Sequence, residues 1–212
     1  AIESARENVN EFRHRATVNT ADFGYALTTL GSFLSENDQF AEADANLTQA
    51  EAIYRKLLGD SHLWLGDNLR IQANSLYKQG KFAEAQTKIA ETLKIYRAST
   101  SAHYINFPTA LMIQGLILNK SGRSEEAEKI LREALSLREE NLPPAHFLTS
   151  LNKSALGECL MTQNRFEEAE RLLAESFESL KISQGETNPR TEIARRRLLK
   201  LYEITKNPKF EG

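Results

Sequence analysis

The chain has 212 residues and a nearly balanced charge, with 27 basic against 29 acidic side chains and a formal net charge of −2. This balance gives no global electrostatic reason to expect nucleic acid or an anionic membrane surface as a partner. The only cysteine, Cys159, excludes an internal disulfide and a site built from several thiolates. No apolar run approaches the roughly 18–20 residues that cross a bilayer. The first residues also lack the apolar stretch of a signal peptide, so we predict a cytoplasmic location.

One pattern recurs along the chain in steps of 42 residues. Phe40, Phe82 and Phe166 share a register, and Ser124 fills the remaining slot. An acidic and then a small residue follow in every copy: Glu42, Glu84, Glu126, Glu168, and Ala43, Ala85, Ala127, Ala169. Upstream of each comes a small residue and, three places later, a leucine: Gly31, Ala73, Gly115, Gly157, and Leu34, Leu76, Leu118, Leu160. The chain therefore contains four copies of one structural unit.

Each unit is predicted to form two helices. In the first unit Leu27, Leu30 and Leu34 are spaced three and four apart, as one face of a helix requires. Residues that tolerate a left-handed backbone then end the helix, namely Asn37, Asp38, Gly80, Gly122 and Asn164. The small residues at both close-approach positions let the paired helices pack tightly. Because no stretch alternates with a period of two, the fold class is predicted to be all-α.

The repeat register also predicts the organisation of the chain. Four repeats span 21–62, 63–104, 105–146 and 147–188. Residues 1–20 are interpreted as the second helix of a truncated preceding repeat or a capping helix, and residues 189–212 as a terminal helix, half a repeat. An array that begins within a repeat leads us to expect a segment of a longer polypeptide, with a natural capping helix as the alternative.

The repeated motif resembles the tetratricopeptide repeat. Its residues are the small residue, Leu three later, and then Gly-Lys-Phe with Glu-Ala, as at 78–86. The loop at 58–67 resembles the Gly-x-x-His-Pro linker of the kinesin light chain type, with Leu63 in place of proline, and residues 185–191 supply Pro189. The resemblance implies a right-handed superhelical solenoid of antiparallel helix pairs that scaffolds protein partners. Similar arrays occur C-terminal to bacterial Ser/Thr kinase domains, although no kinase motif is present in these residues.

No catalytic, cofactor-binding or metal-binding residue is predicted. His62 and His146 occupy the same inter-repeat loop position two repeats apart, and stacked repeats keep such loops separate. We therefore assign structural or solvated roles to these two histidines and to His14 and His103. Cys159 lies on a first helix without a histidine at helical spacing, so it is predicted to be a buried small apolar residue.

The resemblance implies a peptide groove lined by the first helices. Its four groove positions fall on Tyr25, Thr28, Ser32, Ser35; Asp67, Arg70, Asn74, Tyr77; Thr109, Met112, Leu116, Asn119; and Leu151, Ser154, Glu158, Met161. Apolar members could instead pack between repeats. The family members that clamp a chaperone's C-terminal carboxylate carry an asparagine where this chain has Ile113 and Ala155. An apolar residue cannot hold a carboxylate, so that function is not expected.

We predict that a protein or peptide partner binds over the second and third repeats. Amide and basic side chains there would bind a main chain, and Met112 and Leu116 would supply sequence preference. Lys88, on a second helix, is expected to be exposed and outside this site. The basic last segment around Arg195 to Arg197 is the alternative surface. The alternative function is a regulatory C-terminal region of a larger enzyme such as a bacterial Ser/Thr kinase, and the sequence leaves the oligomeric state open.

Overall fold

A computed structural model describes residues 1–99 and 105–205, so the predictions made for His103 fall outside it. The described residues form ten helices and no strand, which confirms the all-α prediction. The helices are α1 Ile2–His14, α2 Ala21–Glu36, α3 Phe40–Leu58, α4 Leu63–Lys78, α5 Phe82–Ala98, α6 Phe107–Lys120, α7 Ser124–Asn141, α8 Phe147–Thr162, α9 Phe166–Gln184 and α10 Pro189–Thr205.

The chain divides into two compact units, Ala1–Ile113 and Gln114–Gly212. In unit 1, α1 packs against α2, and the helix pairs α2 with α3 and α4 with α5 make its most extensive contacts. In unit 2, α8 packs mainly against α9, while α7 contacts α8 and α10 contacts both members of the pair. The boundary between the two units falls inside α6.

Side chains fix where several helices begin. The Thr20 hydroxyl accepts a hydrogen bond from the Phe23 amide at 3.2 Å and caps α2. His62 caps α4 in the same way, because its Nδ1 accepts from the Trp64 amide at 3.2 Å. His146 caps α8 through the Leu148 amide, also at 3.2 Å. Both histidines therefore have a structural role, one of the two roles predicted for them, because each satisfies an otherwise unpaired amide at a helix start.

The helix-ending turns have the backbone that the sequence predicts. Asp38, Gly80, Gly122 and Asn164 all have positive φ, between 58° and 79°. Each follows the first helix of its pair within two residues of the helix end. A left-handed residue at this point reverses the chain and lets the second helix fold back on the first.

Small residues permit close contact within the helix pairs. A Cβ atom at Gly31 would lie 2.6 Å from Leu47 Cγ, and one at Gly157 would lie 2.7 Å from Leu173 Cγ. On the partner helices the repeated alanines are fully buried, at Ala43, Ala85, Ala127 and Ala169. Because neither side has room for a larger group, the periodic small residues set the distance between the paired helices.

Two further predictions concern Cys159 and the apolar character of the helices. Cys159 is fully buried, its Sγ lies 3.2 Å from the Ser124 carbonyl oxygen, and burial raises the pKa of its thiol to about 11. The burial of Cys159 confirms that it is a buried small apolar residue, as predicted. Among residues 1–99 and 105–205, no helix combines the length and the apolar character needed to span a membrane.

Candidate interaction surface on the first helices

In unit 1 the face of α4 presents three of the predicted site residues together. Arg70, Asn74 and Tyr77 follow one another at steps of four and three, and all three are half-buried. The Arg70 side chain is 18% exposed, and its Nε lies 3.8 Å from Asp67 Oδ1. The Tyr77 ring packs against Phe82 with 5.9 Å between centroids. Among the residues that the structure describes, the Asn74 side-chain amide has no hydrogen-bond partner.

The predicted residues on α2 separate into exposed and buried groups. Tyr25 is 58% exposed and Ser32 is half-buried, so both reach the surface. Thr28 and Ser35 are buried, at 7% and 2% exposure. The Thr28 hydroxyl donates to the Gly24 carbonyl at 2.9 Å and accepts from Asn68 Nδ2 at 3.0 Å. Thr28 therefore joins neighbouring helices and is not presented to a partner.

Two buried amides beside Thr28 were not anticipated from the sequence. Asn68 and Gln72, one turn apart on α4, are 0% and 7% exposed. Gln72 Nε2 donates to Asn68 Oδ1 at 2.7 Å and to Glu51 Oε2 at 2.8 Å. The pair connects Thr28 of α2 to Glu51 of α3, so it fixes how the second repeat sits on the first. The sequence feature that could have predicted this pair is the presence of two amide residues at i and i+4 on an otherwise apolar helix face.

The prediction that Lys88 is exposed was wrong. Lys88 Nζ lies 2.7 Å from Glu51 Oε2, and its side chain is 27% exposed. Burial raises the pKa of Glu51, but hydrogen bonds from Lys88, Gln72 and Arg55 outweigh it and lower the pKa overall. Lys88 packs against Glu51 because this half-buried carboxylate of the preceding repeat requires a cation.

A cleft of about 550 Å³ opens near this ion pair between α3, α4 and α5 of unit 1. Its walls include both signs of charge, with Glu51, Arg55 and Lys88 among them. Arg55 contacts Glu51, Asp60 and Glu91 at 2.7–2.8 Å. Since these charges already neutralise one another, the cleft offers no net charge to select an ionic ligand.

An aromatic cluster lies at the N-terminal ends of α2 and α4. The Tyr25 and Trp64 rings are 6.0 Å apart between centroids and tilted by 46°. Tyr54 and His62 each approach Trp64 edge-on, at 6.1 and 5.6 Å. Trp64 is 37% exposed and Tyr25 more so, whereas Tyr54 is buried. The groove prediction included Tyr25 and omitted Trp64, which precedes the first groove position by one helical turn.

In unit 2 the predicted site residues are mostly buried. The exposed fractions are 8% for Leu116, 6% for Asn119, 1% for Ser154, 9% for Glu158 and 7% for Met161. Leu151 is half-buried. Thr109 and Met112, which lie on the part of α6 that belongs to unit 1, are also half-buried. The groove positions of unit 2 therefore expose little surface compared with those on α4.

Ion pairs cover the predicted groove positions on α8 in unit 2. Glu158 Oε1 lies 2.6 Å from Lys120 Nζ, and its Oε2 lies 2.6 Å from an Arg197 guanidinium nitrogen. Arg197 also donates to the Ser154 hydroxyl at 3.0 Å. Burial raises the pKa of Glu158, but the charges of Arg197 and Lys120 and their hydrogen bonds outweigh burial and lower it. Ser154 and Glu158 thus bind α10 and α6 of their own chain.

Three further arginines of α10 also have partners within the chain. Arg195 Nε lies 2.9 Å from Glu192, and Arg196 Nε lies 3.5 Å from the same carboxylate. The Arg190 guanidinium lies 5.5 Å from the centroid of the Phe147 ring. The basic surface proposed as an alternative site is therefore partly neutralised by its own helix. No cluster of His, Cys, Asp and Glu suited to a metal ion occurs within 1–99 and 105–205.

Comparison with known proteins assigns the repeat. The model of the tetratricopeptide repeat family matches residues 22–98 and 107–182, which is most of the chain. The chain belongs to the tetratricopeptide repeat family. Tetratricopeptide repeats typically form protein-interaction scaffolds and are generally non-catalytic.

Solved structures of tetratricopeptide arrays share this fold. A substituted form of a putative kinesin light chain repeat protein of Podospora anserina superposes with a TM-score of 0.67 at 17% identity and covers 87% of each chain. BtubC (BKLC) from P. vanneervenii superposes with a TM-score of 0.74 at 16% identity, covering 97% of this chain and 83% of its own. The kinesin light chain resemblance is thereby confirmed for the fold. No significant match is found among curated proteins.

Proposed function

We propose that this tetratricopeptide array is a non-catalytic scaffold that binds an extended segment of a protein partner along the α4 face of unit 1. The observation that carries the proposal is the row of Arg70, Asn74 and Tyr77 on one side of α4, each half-buried and reaching the surface. Their neighbour Asp67 holds Arg70 only at 3.8 Å, longer than a hydrogen bond.

The chemistry of this row suits a main chain in extended conformation. An amide side chain both donates and accepts, so Asn74 can pair with a peptide group of the ligand. Arg70 can bind carbonyl oxygens or a carboxylate of the segment. Tyr77 and Arg70 are of the residue types that most often dominate binding energy. Ser32 on α2, and Thr109 and Met112 on α6, are further residues of the same unit that we include in the proposed site.

The predicted groove positions of unit 2 are not part of the proposed binding surface. Because Ser154 and Glu158 bind Arg197, a partner would have to break these contacts to use them. Leu116 and Asn119 are nearly buried, so they offer a partner little area. We therefore assign the principal binding surface to unit 1, whereas the sequence predicted a site over the second and third repeats.

The proposal is tested by recovering a partner from the native host and titrating it against surface variants. We expect Arg70→Ala and Asn74→Ala each to weaken binding about fivefold to tenfold, the range of a moderate hot spot. Lys94→Ala and Gln49→Ala are matched controls, because both residues are exposed in unit 1 and lie on second helices. Lys88 would not be a suitable control, because it forms an ion pair with Glu51.

Two results would count against the proposal. Arg70 and Asn74 variants that bind as tightly as the Lys94 and Gln49 controls would move the interaction away from α4. Loss of binding in Arg195→Ala, with α4 variants unchanged, would place it on α10. The association with a bacterial Ser/Thr kinase stays a separate prediction, which the coding sequence upstream of these residues would test directly.

A further inference from the structure

The N-terminal ends of α2 and α4 carry two aromatic and two acidic side chains in a crossed arrangement. On α2 the order along the helix is Asp22 and then Tyr25, whereas on α4 it is Trp64 and then Asp67. Residues three apart share a helix face. Because α2 and α4 are in contact and occupy the same place in successive repeats, each aromatic position on one helix corresponds to an acidic position on the other.

Both aromatic rings of this cation patch, as we name Asp22, Tyr25, Trp64 and Asp67, remain accessible. Tyr25 is 58% and Trp64 37% exposed, although the two rings contact one another at 6.0 Å. Tyr54 lies beneath with its own ring at 6.1 Å from Trp64, which supports the indole. Aromatic faces carry negative electrostatic potential and attract cations.

The carboxylates add formal negative charge to the same patch. Asp22 is exposed in the first turn of α2 and forms no ion pair or side-chain hydrogen bond with the described residues. Asp67 is positioned by the Tyr96 hydroxyl at 2.6 Å and the Asn106 amide at 2.8 Å, and its Oδ1 lies 3.8 Å from Arg70 Nε. Its side chain remains 23% exposed, and the exposed Asp22 supplies the unpaired charge of the patch. Burial, together with the charges of Asp67 and Asp22, raises the pKa of the intervening Tyr54 to about 12.

We propose that the cation patch binds the guanidinium of one arginine in the partner segment that lies along the α4 row. A planar guanidinium can stack on an aromatic face and at the same time direct its N–H groups to a carboxylate at the ring edge. The ammonium of lysine is a compact charge that cannot satisfy both requirements equally. Aromatic faces bordered by acidic groups therefore fit arginine better than lysine or a neutral side chain.

The inference rests on the proposed function and names the partner's chemistry at one end of the same surface. Trp64, Asp67, Arg70, Asn74 and Tyr77 follow at steps of three, three, four and three along α4. A segment lying on the α4 row would place one of its residues over Trp64. The two proposals can fail separately, because the α4 row is tested with Arg70 and Asn74 and the cation patch with a synthetic probe.

The test uses the full chain and a short labelled glycine-serine peptide with one central arginine. Matched peptides carry lysine or citrulline at the centre, the latter being nearly isosteric with arginine and uncharged. Trp64 is the only tryptophan, so its emission reports directly on the patch. We expect the arginine peptide to change this emission and to bind more tightly than either matched peptide at low ionic strength.

Variants distinguish the patch from general electrostatic attraction. Asp22→Asn and Tyr25→Ala should each weaken the arginine peptide about threefold to fivefold, the size of a cation contact at a partly exposed aromatic site. Glu7→Gln removes an exposed charge on α1 in the same unit and should leave affinity unchanged. Circular dichroism and denaturation midpoints confirm that each variant is folded. Equal affinity for the citrulline or lysine peptide, or equal weakening by Glu7→Gln, would overturn the proposal.

Discussion

The first helices of unit 1 and those of unit 2 derive from one repeat but present different surfaces. On α4, Arg70 and Asn74 remain half-buried, and the Nε of Arg70 lies 3.8 Å from Asp67 Oδ1. On α8, the equivalent face is nearly inaccessible, with Glu158 at 9% exposure between Lys120 and Arg197. A glutamate in place of an asparagine at the same repeat position makes much of this difference. Its charge requires cations from neighbouring helices, whereas a neutral amide does not.

The 42-residue repeat determines how the paired helices pack in both units. It does not determine which side chains lie on the outer face of the first helices, which differ from repeat to repeat. In both units the small residues contact a leucine of the paired helix, as at Gly31 with Leu47 and Gly157 with Leu173. Within the described residues, the groove positions of the first helices show no such repeated contact. One unit can therefore keep a face available to partners while the other joins its helices through charges.

The largest expected effect tests the packing that the two units share. Ala85→Leu in unit 1 and Ala127→Leu in unit 2 should each destabilise the protein by about 2–3 kcal/mol, because fully buried positions have no space for added methyl groups. Chemical denaturation measures the effect. Ala83→Leu, at an exposed site on the same helix as Ala85, should change the midpoint little. If both buried substitutions left the midpoints unchanged, the close-packing assignment would fail.

An intermediate effect tests the ion pairs that close unit 2. Arg197→Met should lower the free energy of unfolding by about 1–2 kcal/mol, because it leaves the largely buried Glu158 without one of its two cations. The neighbouring Arg196 is the matched control, since its side chain is 68% exposed and contacts only a surface carboxylate in the described region. Arg196→Met should cost about 0–0.5 kcal/mol. Equal effects of the two substitutions would contradict a special role for Arg197.

The smallest expected effect is a change in acid sensitivity. The pKa of Glu158 is lowered in the folded protein below its ordinary value of 4.5, so its charge stabilises the fold above that pH. This contribution is lost as the pH falls through the lowered folded-state pKa. The stability difference between the parent protein and Glu158→Gln should therefore shrink from pH 7 into acid. The exposed Glu178 supplies the control, and a gap that stayed constant with pH for Glu158→Gln would refute the ionic explanation.

Part of the candidate site could be predicted from the sequence. The repeat positions predict that Arg70, Asn74 and Tyr77 share one face of α4, and in the structure all three are half-buried on that face, because helix geometry fixes which side chains align. Thr28 occupies an equivalent position and is buried by Asn68 of the next repeat. Helix geometry alone could not predict that Thr28 is buried while Arg70 is half-buried, because the burial of Thr28 depends on a side chain in another repeat.

The sequence by itself determined the periodic part of this protein. Helix pairing, the left-handed turns and the buried alanines follow from the 42-residue register, because backbone geometry and close packing are local and recur in each copy. Only the tertiary structure decided which charged residues bind one another. Lys88 with Glu51 and Arg197 with Glu158 join helices of different repeats, at 2.7 and 2.6 Å. A long charged side chain can reach several partners, and burial of each carboxylate selects the cation that it binds.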